Sequence, residues 1–139
     1  MKSTTIFGAV AVCFAGILLY FYWPVWQFTH LEQNAKKVIT GAELQAWATN
    51  LLAHYPSNTT LRASGLGTNF PQRLRSLAPD LGPGVNVYFP DDTNYPGWVS
   101  LRWGSGFLGS RFLEVGPTNF VDKSPNAHAW QPGVYFYRR

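Results

Sequence analysis

Two hydrophobic periods divide the chain. Up to residue 55 apolar positions run continuously or recur at helical spacing, and from Val85 onward they alternate in steps of two. The opening stretch, Thr4 to Trp23, is twenty residues without a charge. As a helix rising about 1.5 Å per residue it would cover about 30 Å, the hydrocarbon thickness of a bilayer. Tyr20, Tyr22, Trp23 and Trp26 cluster at its end, and such amphipathic rings favour the headgroup level of a membrane. The expectation is therefore a transmembrane anchor over 1–26, with the lipid bilayer as partner. It reads as uncleaved. Ala9-Val10-Ala11 comes too early for a signal-peptidase site, and Val12 before Cys13 does not suit lipidation. Lys2 on one flank, against Lys36, Lys37 and Glu32 further along, leans toward a cytoplasmic N-terminus. The location expected is a bacterial inner membrane, single-pass, with the C-terminal domain outside the cytoplasm. Gly8, Ala11 and Ala15 share one helical face, which is ordinary for a membrane helix.

Past Pro24, where a lost backbone donor predicts a kink, Val25, Phe28, Leu31, Ala35, Val38 and Ile39 keep close to helical spacing. Glu32 and Lys36 stand at i, i+4 on the wet side. Thr40 and Glu43 have the spacing of a capping box. The helix it opens carries Leu44, Trp47, Leu51 and Leu52 on one face, with Tyr55 beyond, and Pro56 closes it. "PSNTT" reads as a polar connection, and its sequon at Asn58 is too short a pattern to carry weight. A short helix from Pro71 turns Leu74 and Leu77 inward and Arg73 and Arg75 outward, before Pro79 and "GPG" end it. Four strands follow. "VNVYF", "WVSLRW", "FLGSRFLEV" and "GVYFYRR" place Val85, Val87, Phe89, Val99, Leu101, Trp103, Phe107, Gly109, Arg111, Leu113, Val115, Val134 and Phe136 on one side. The turns "PDDTNYPG" and "GSG" and the longer segment 116–133 separate them. The fold class predicted is α+β: an N-terminal single transmembrane helix extends into an amphipathic helix, packed on a small antiparallel sheet of about four strands. The domains are 1–26, the anchor, and 27–139, a small α+β domain.

Composition narrows the function. Aromatics make up 17% of the chain and charged residues only 13%, so the chain is neither disordered nor a highly charged scaffold. The net charge of +4 is scattered, with no basic stripe of the kind a duplex demands. Nucleic acid is not an expected partner. The single cysteine, Cys13, excludes disulfides and cysteine-based zinc sites.

Residues 104–110, "GSGFLGS", contain a G-x-G-x-x-G pattern. A dinucleotide fold puts that pattern between a strand and a helix. Here it lies between two alternating strands, so it reads as a hairpin, with Gly109 a mid-strand glycine at a bulge or beneath a ring such as Trp47. "DDTN" (91–94) has the chemistry of a turn and lacks the ligand spacing of a calcium loop. His30, His54 and His128 fall on separate elements, so no metal site is expected. No cofactor motif and no catalytic constellation stand out, and Glu43, Glu114 and the scattered aspartates show no spacing that singles out a pair. The most suggestive set is aromatic: Trp98, Tyr88, Tyr95, Phe112, Tyr135 and Tyr137. Several fall on the sheet face opposite the core, where rings stack on sugars or receive a partner protein. The competing expectation covers that face with the 116–133 loop, folding Trp130 and Phe120 over it.

The order of a span, an amphipathic helix and an antiparallel sheet resembles pilins and pseudopilins in outline. The leader-peptidase site followed by phenylalanine, and the glutamate five residues into the span, are missing, and no acidic residue precedes Glu32. No functional residue is carried across. The function expected is a non-catalytic, membrane-anchored interaction or binding module at the cell envelope, with a protein or an envelope glycan as partner. The alternatives are a pseudopilin-like subunit, or a small glycan-binding or hydrolytic enzyme using an aromatic cleft with Glu114 or Asp122. Two carboxyl groups in an aromatic-lined cleft would favour the enzyme.

Overall fold

In the computed structural model, residues 2–77, 83–104 and 109–139 are described, and within the first helix the side chains of 10–20, 22, 23, 26 and 29. The element order is α1 (Lys2–Thr29), α2 (Leu31–Val38), α3 (Gly41–His54), β1 (Thr59–Arg62), a 3-10 turn (Gly67–Asn69), α4 (Gln72–Arg75), β2 (Gly84–Tyr88), β3 (Trp98–Trp103), β4 (Arg111–Val115), β5 (His128–Gln131) and β6 (Val134–Arg138). The predicted Pro79 and Gly82 terminators, Phe107 and Leu108 lie outside the described residues, as do the side chains of Gly8 and Pro24.

The transmembrane expectation is corrected. Helix α1 forms, but among the described residues no helix is long and apolar enough to cross a membrane. The uncharged run is flanked by polar and amphipathic residues. The chain offers Ser3, Thr4 and Thr5 on one side of that run and the polar edges of Tyr20, Tyr22, Trp23 and Trp26 on the other. The single transmembrane helix and the single-pass placement in an inner membrane are overturned by that finding. The helical assignment also passes through position 24, and the break comes at His30, which precedes α2 without a side-chain cap.

The other helices follow their sequence signals. In α2, Leu31 and Ala35 are buried while Lys36 Nζ donates to Glu32 Oε1 at 2.7 Å on the wet side. Glu32 Oε2 also meets His128 Nε2 at 2.5 Å, so one carboxylate ties α2 to strand β5. Burial pushes the Glu32 carboxyl up, but the hydrogen bonds from Lys36 and His128 and their charges win and hold it below the ordinary value. Thr40 Oγ1 accepts from Glu43 N at 3.2 Å, and Glu43 Oε2 accepts from Thr40 N at 2.8 Å, completing the capping box of α3. Leu44, Ala48 and Leu51 turn into the core, and Trp47 donates Nε1 to Asn69 O at 2.6 Å.

The sheet has six strands, not four, in the order β1-β2-β3-β4-β6-β5, all antiparallel. Both missed strands are edges. β1 pairs only with β2 and β5 only with β6. Edge strands are short and carry polar side chains on their open side, so Thr59–Arg62 and His128–Gln131 present too little alternation to be read. Strand β4 begins at Arg111, because Gly109 adopts φ +76°. A Cβ on Gly109 would stand 2.7 Å from Arg139 O, so a backbone carbonyl makes the close approach, not a ring.

Period-two alternation gives the sheet two unlike faces. Val85, Val87, Val99, Leu101, Leu113, Val115 and Val134 are each no more than 1% exposed and form one core with Leu31, Leu44, Phe70 and Leu74. Helix α3 packs over β3 and β4 on that side. The opposite face carries Asn86, Tyr88, Trp98, Ser100, Arg102, Phe112, Glu114, Tyr135 and Tyr137. Because β6 inserts between β4 and β5, the connection from β4 runs to the far edge.

Candidate functional site

The non-core face of the sheet is a cleft of about 660 Å³. That volume falls within the range of small-ligand sites. Strand register builds its floor. Tyr88 lies opposite Trp98, Ser100 opposite both Asn86 and Glu114, Arg102 opposite Phe112, and Phe112 opposite Tyr137. Cross-strand neighbours on one face sit close enough for rings to touch. Tyr88 and Trp98 stack with centroids 5.1 Å apart, and Phe112 and Tyr137 stack at 4.4 Å with an interplanar angle of 2°.

Two loops raise the walls. In 90–97, Asp92 Oδ1 accepts from Asn94 N at 2.9 Å, the turn its sequence announced. In 116–127, Phe120 lies flat on Trp98 at 5.4 Å and edge-on to Tyr135 at 5.8 Å. Gly116 permits this, since a Cβ there would meet the Phe120 ring at 2.6 Å. The walls are joined: the Tyr95 hydroxyl donates to Val121 O, and Lys123 Nζ stands 4.9 Å from the Tyr95 ring centre. Tyr88, Trp98 and Phe120 thus form a stack of three rings, with Phe120 buried at one end and Tyr88 exposed at the other.

Five of the six aromatic residues singled out by sequence line this cleft: Tyr88, Tyr95, Trp98, Phe112 and Tyr137. Tyr135 shares the face, covered edge-on by Phe120. The cover expected from 116–133 is supplied by Phe120 alone. Trp130 packs on Phe136, with Lys36 Nζ 5.8 Å from its ring centre, away from the cleft. The histidines stay apart: His30 stacks on Trp26, His54 meets Tyr55, and His128 pairs with Glu32.

The floor is polar at its centre. Glu114 is 4% exposed, and its Oε1 accepts from Ser100 Oγ at 2.7 Å. Its Oε2 is buried without a hydrogen-bond partner. The Tyr137 hydroxyl and the Trp98 indole N–H are near enough to favour the charged form, yet neither reaches hydrogen-bond geometry with Oε2. Burial dominates, helped by the charge of Asp122 and opposed by Ser100, and pushes the carboxyl up to about 7. Asp122 repeats the pattern: Oδ1 accepts from Ser124 N at 2.8 Å, and Oδ2 is buried with no partner. Burial and the Glu114 charge raise the Tyr137 phenol as well.

Comparison with known protein families, curated proteins and solved structures finds no match. The site must be read from its own chemistry.

That chemistry is balanced in charge. Three carboxyl groups (Asp92, Glu114, Asp122) line the cleft with three cations, Arg102, Lys123 and Arg139. Such a cleft exerts little net pull on an ion and selects by shape, ring stacking and hydrogen bonding. Ser100, Asn86 and Arg102 escaped sequence reasoning. Their signal was the same alternation that located the core: they are the polar half of β2 and β3, and the register with β4 sets Ser100 beside Glu114.

Proposed function

We propose that this chain is a glycan-binding module, and that its aromatic cleft takes a neutral, β-linked oligosaccharide of the gluco type. The observation that carries this reading is the Tyr88–Trp98–Phe120 stack standing beside a floor of unsatisfied acceptors. A gluco-configured ring holds its hydroxyls equatorially, which leaves flat C–H faces for aromatic rings. Its rim of hydroxyls donates to buried acceptors that would otherwise remain unpaired, and an unpaired buried acceptor costs about 1–3 kcal/mol. Glu114 Oε2 and Asp122 Oδ2 are such acceptors.

The test is a titration with linear hexasaccharides of glucose and of N-acetylglucosamine, followed by tryptophan fluorescence. Saturable quenching that Trp98→Ala weakens about two- to tenfold supports the reading, in line with about 0.5–1.5 kcal/mol for an aromatic stacking partner removed. No response to either sugar, with a response to an anionic oligonucleotide or a peptide instead, refutes it.

A further inference from the structure

We propose that the same cleft hydrolyses the glycosidic bond of the glycan it holds, with Glu114 as the general acid and Asp122 as the general base. The proposal rests on the glycan-binding reading and adds chemistry to it. Two carboxyl groups line one cleft, each held through one oxygen and without a hydrogen-bond partner at the other. Ser100 Oγ holds Glu114 Oε1, and Ser124 N holds Asp122 Oδ1. The remaining oxygens are buried and unpartnered. Glu114 comes from a strand in the middle of the sheet and Asp122 from the wall, so a bound sugar chain would pass between floor and wall. Hydrolysis of this kind needs one carboxyl that carries a proton and one that does not. The two groups differ in burial: Glu114 is 4% exposed on the sheet floor, whereas Asp122 sits half-buried on a loop. Burial also favours the protonated form of Glu114 near neutral pH.

The step balances without an oxidant or a metal. Glu114 gives its proton to the bridging oxygen as the bond from that oxygen to the anomeric carbon breaks, the electron pair leaving with the oxygen. A water oxygen bonds to the anomeric carbon and passes one proton to the Asp122 carboxylate. One glycosidic bond and one water become two hydroxyl groups, and solvent returns the proton from Asp122 to Glu114. The product inverts at the anomeric carbon, because water attacks from the side opposite the leaving group.

The experiment incubates the full chain with reducing-end-labelled hexasaccharides of glucose and of N-acetylglucosamine and follows shorter products by mass. Binding is measured in parallel by tryptophan fluorescence. Shorter products are expected, with a rate that declines as pH rises through about 7 and Glu114 loses its proton. E114Q should bind the hexasaccharide and cleave it about 100-fold or more slowly, and D122N should show the same split. Binding by the wild-type chain without any cleavage overturns this proposal and leaves the binding module standing. Cleavage by E114Q and D122N at the wild-type rate overturns the assignment of the acid and the base. Failure of both sugars to bind removes the reading on which it rests.

Discussion

Replacing Glu114 with glutamine should make the protein more stable at alkaline pH. Glu114 is an ionisable group at the bottom of a ring-lined cleft, and burial lifts its carboxyl from 4.5 to about 7. A folded state that holds a proton the unfolded chain has released loses stability as pH rises between those two values. Below 4.5 both states are protonated, and above about 7 both are ionised, so the loss is confined to that window. At about 1.4 kcal/mol for each pH step, the full cost is about 3 kcal/mol, of which about 2.5 kcal/mol falls between about pH 5 and pH 8. Glutamine keeps an oxygen to accept from Ser100 and does not ionise, so its own stability should lack this slope. Urea unfolding of both proteins at the two pH values measures the difference directly. E114Q should match the wild-type chain within about 1 kcal/mol at pH 5 and exceed it by about 2 kcal/mol at pH 8. If the gap between the two proteins is the same at both pH values, the carboxyl titrates normally and the cleft floor is not the desolvated site inferred from its burial.

Other elements yield smaller tests. Thr40→Ala removes an acceptor from the capping box of α3 and should cost about 1 kcal/mol in urea unfolding, whereas Thr40→Ser should be nearly neutral. Glu32→Gln weakens the tie of α2 to His128 and Lys36. These partners are well exposed, so the loss should not exceed about 1 kcal/mol, and wild-type stability from this source should fade as pH drops below 4.5, where Glu32 takes up its proton. Gly116→Ala puts a methyl group 2.6 Å from the Phe120 ring, so Phe120 must leave Trp98, and near-ultraviolet circular dichroism should lose part of its aromatic signal while the far-ultraviolet spectrum is kept.

Sequence periodicity revealed the core more fully than the outline. Val85, Val87, Val99, Leu101, Trp103, Leu113, Val115, Val134 and Phe136 are buried as alternation predicts, whereas Phe89 and Arg111, assigned to the same faces at strand ends, are only half-buried. The α3 stripe and its capping box were equally legible, since helical spacing and Thr40–Glu43 are local signals. What failed was contextual. β1 and β5 lie at sheet edges, where neighbours rather than residue type decide strand formation. The 4–23 run was read by its length, its lack of charge and the rings at its end, yet how apolar the side chains are along that length also decides whether a helix can span lipid.

The site was half legible for a related reason. Alternation placed Tyr88, Trp98, Phe112 and Tyr137 on the non-core face, but it says nothing about what lies beside what. Ser100 becomes a partner for Glu114 only through the β3–β4 register, and Phe120 and Asp122 arrive on a loop whose path depends on β5 lying beyond β6. The cleft face is also where the fold departs from its own economy. Among the described residues the core side leaves the buried Trp103 indole N–H without a partner, whereas the other side buries a carboxyl beside a polar serine and leaves two carboxyl oxygens without partners. A sheet that needed this face only for packing would hold apolar residues at position 114, as it does at 113 and 115, and would be more stable for it.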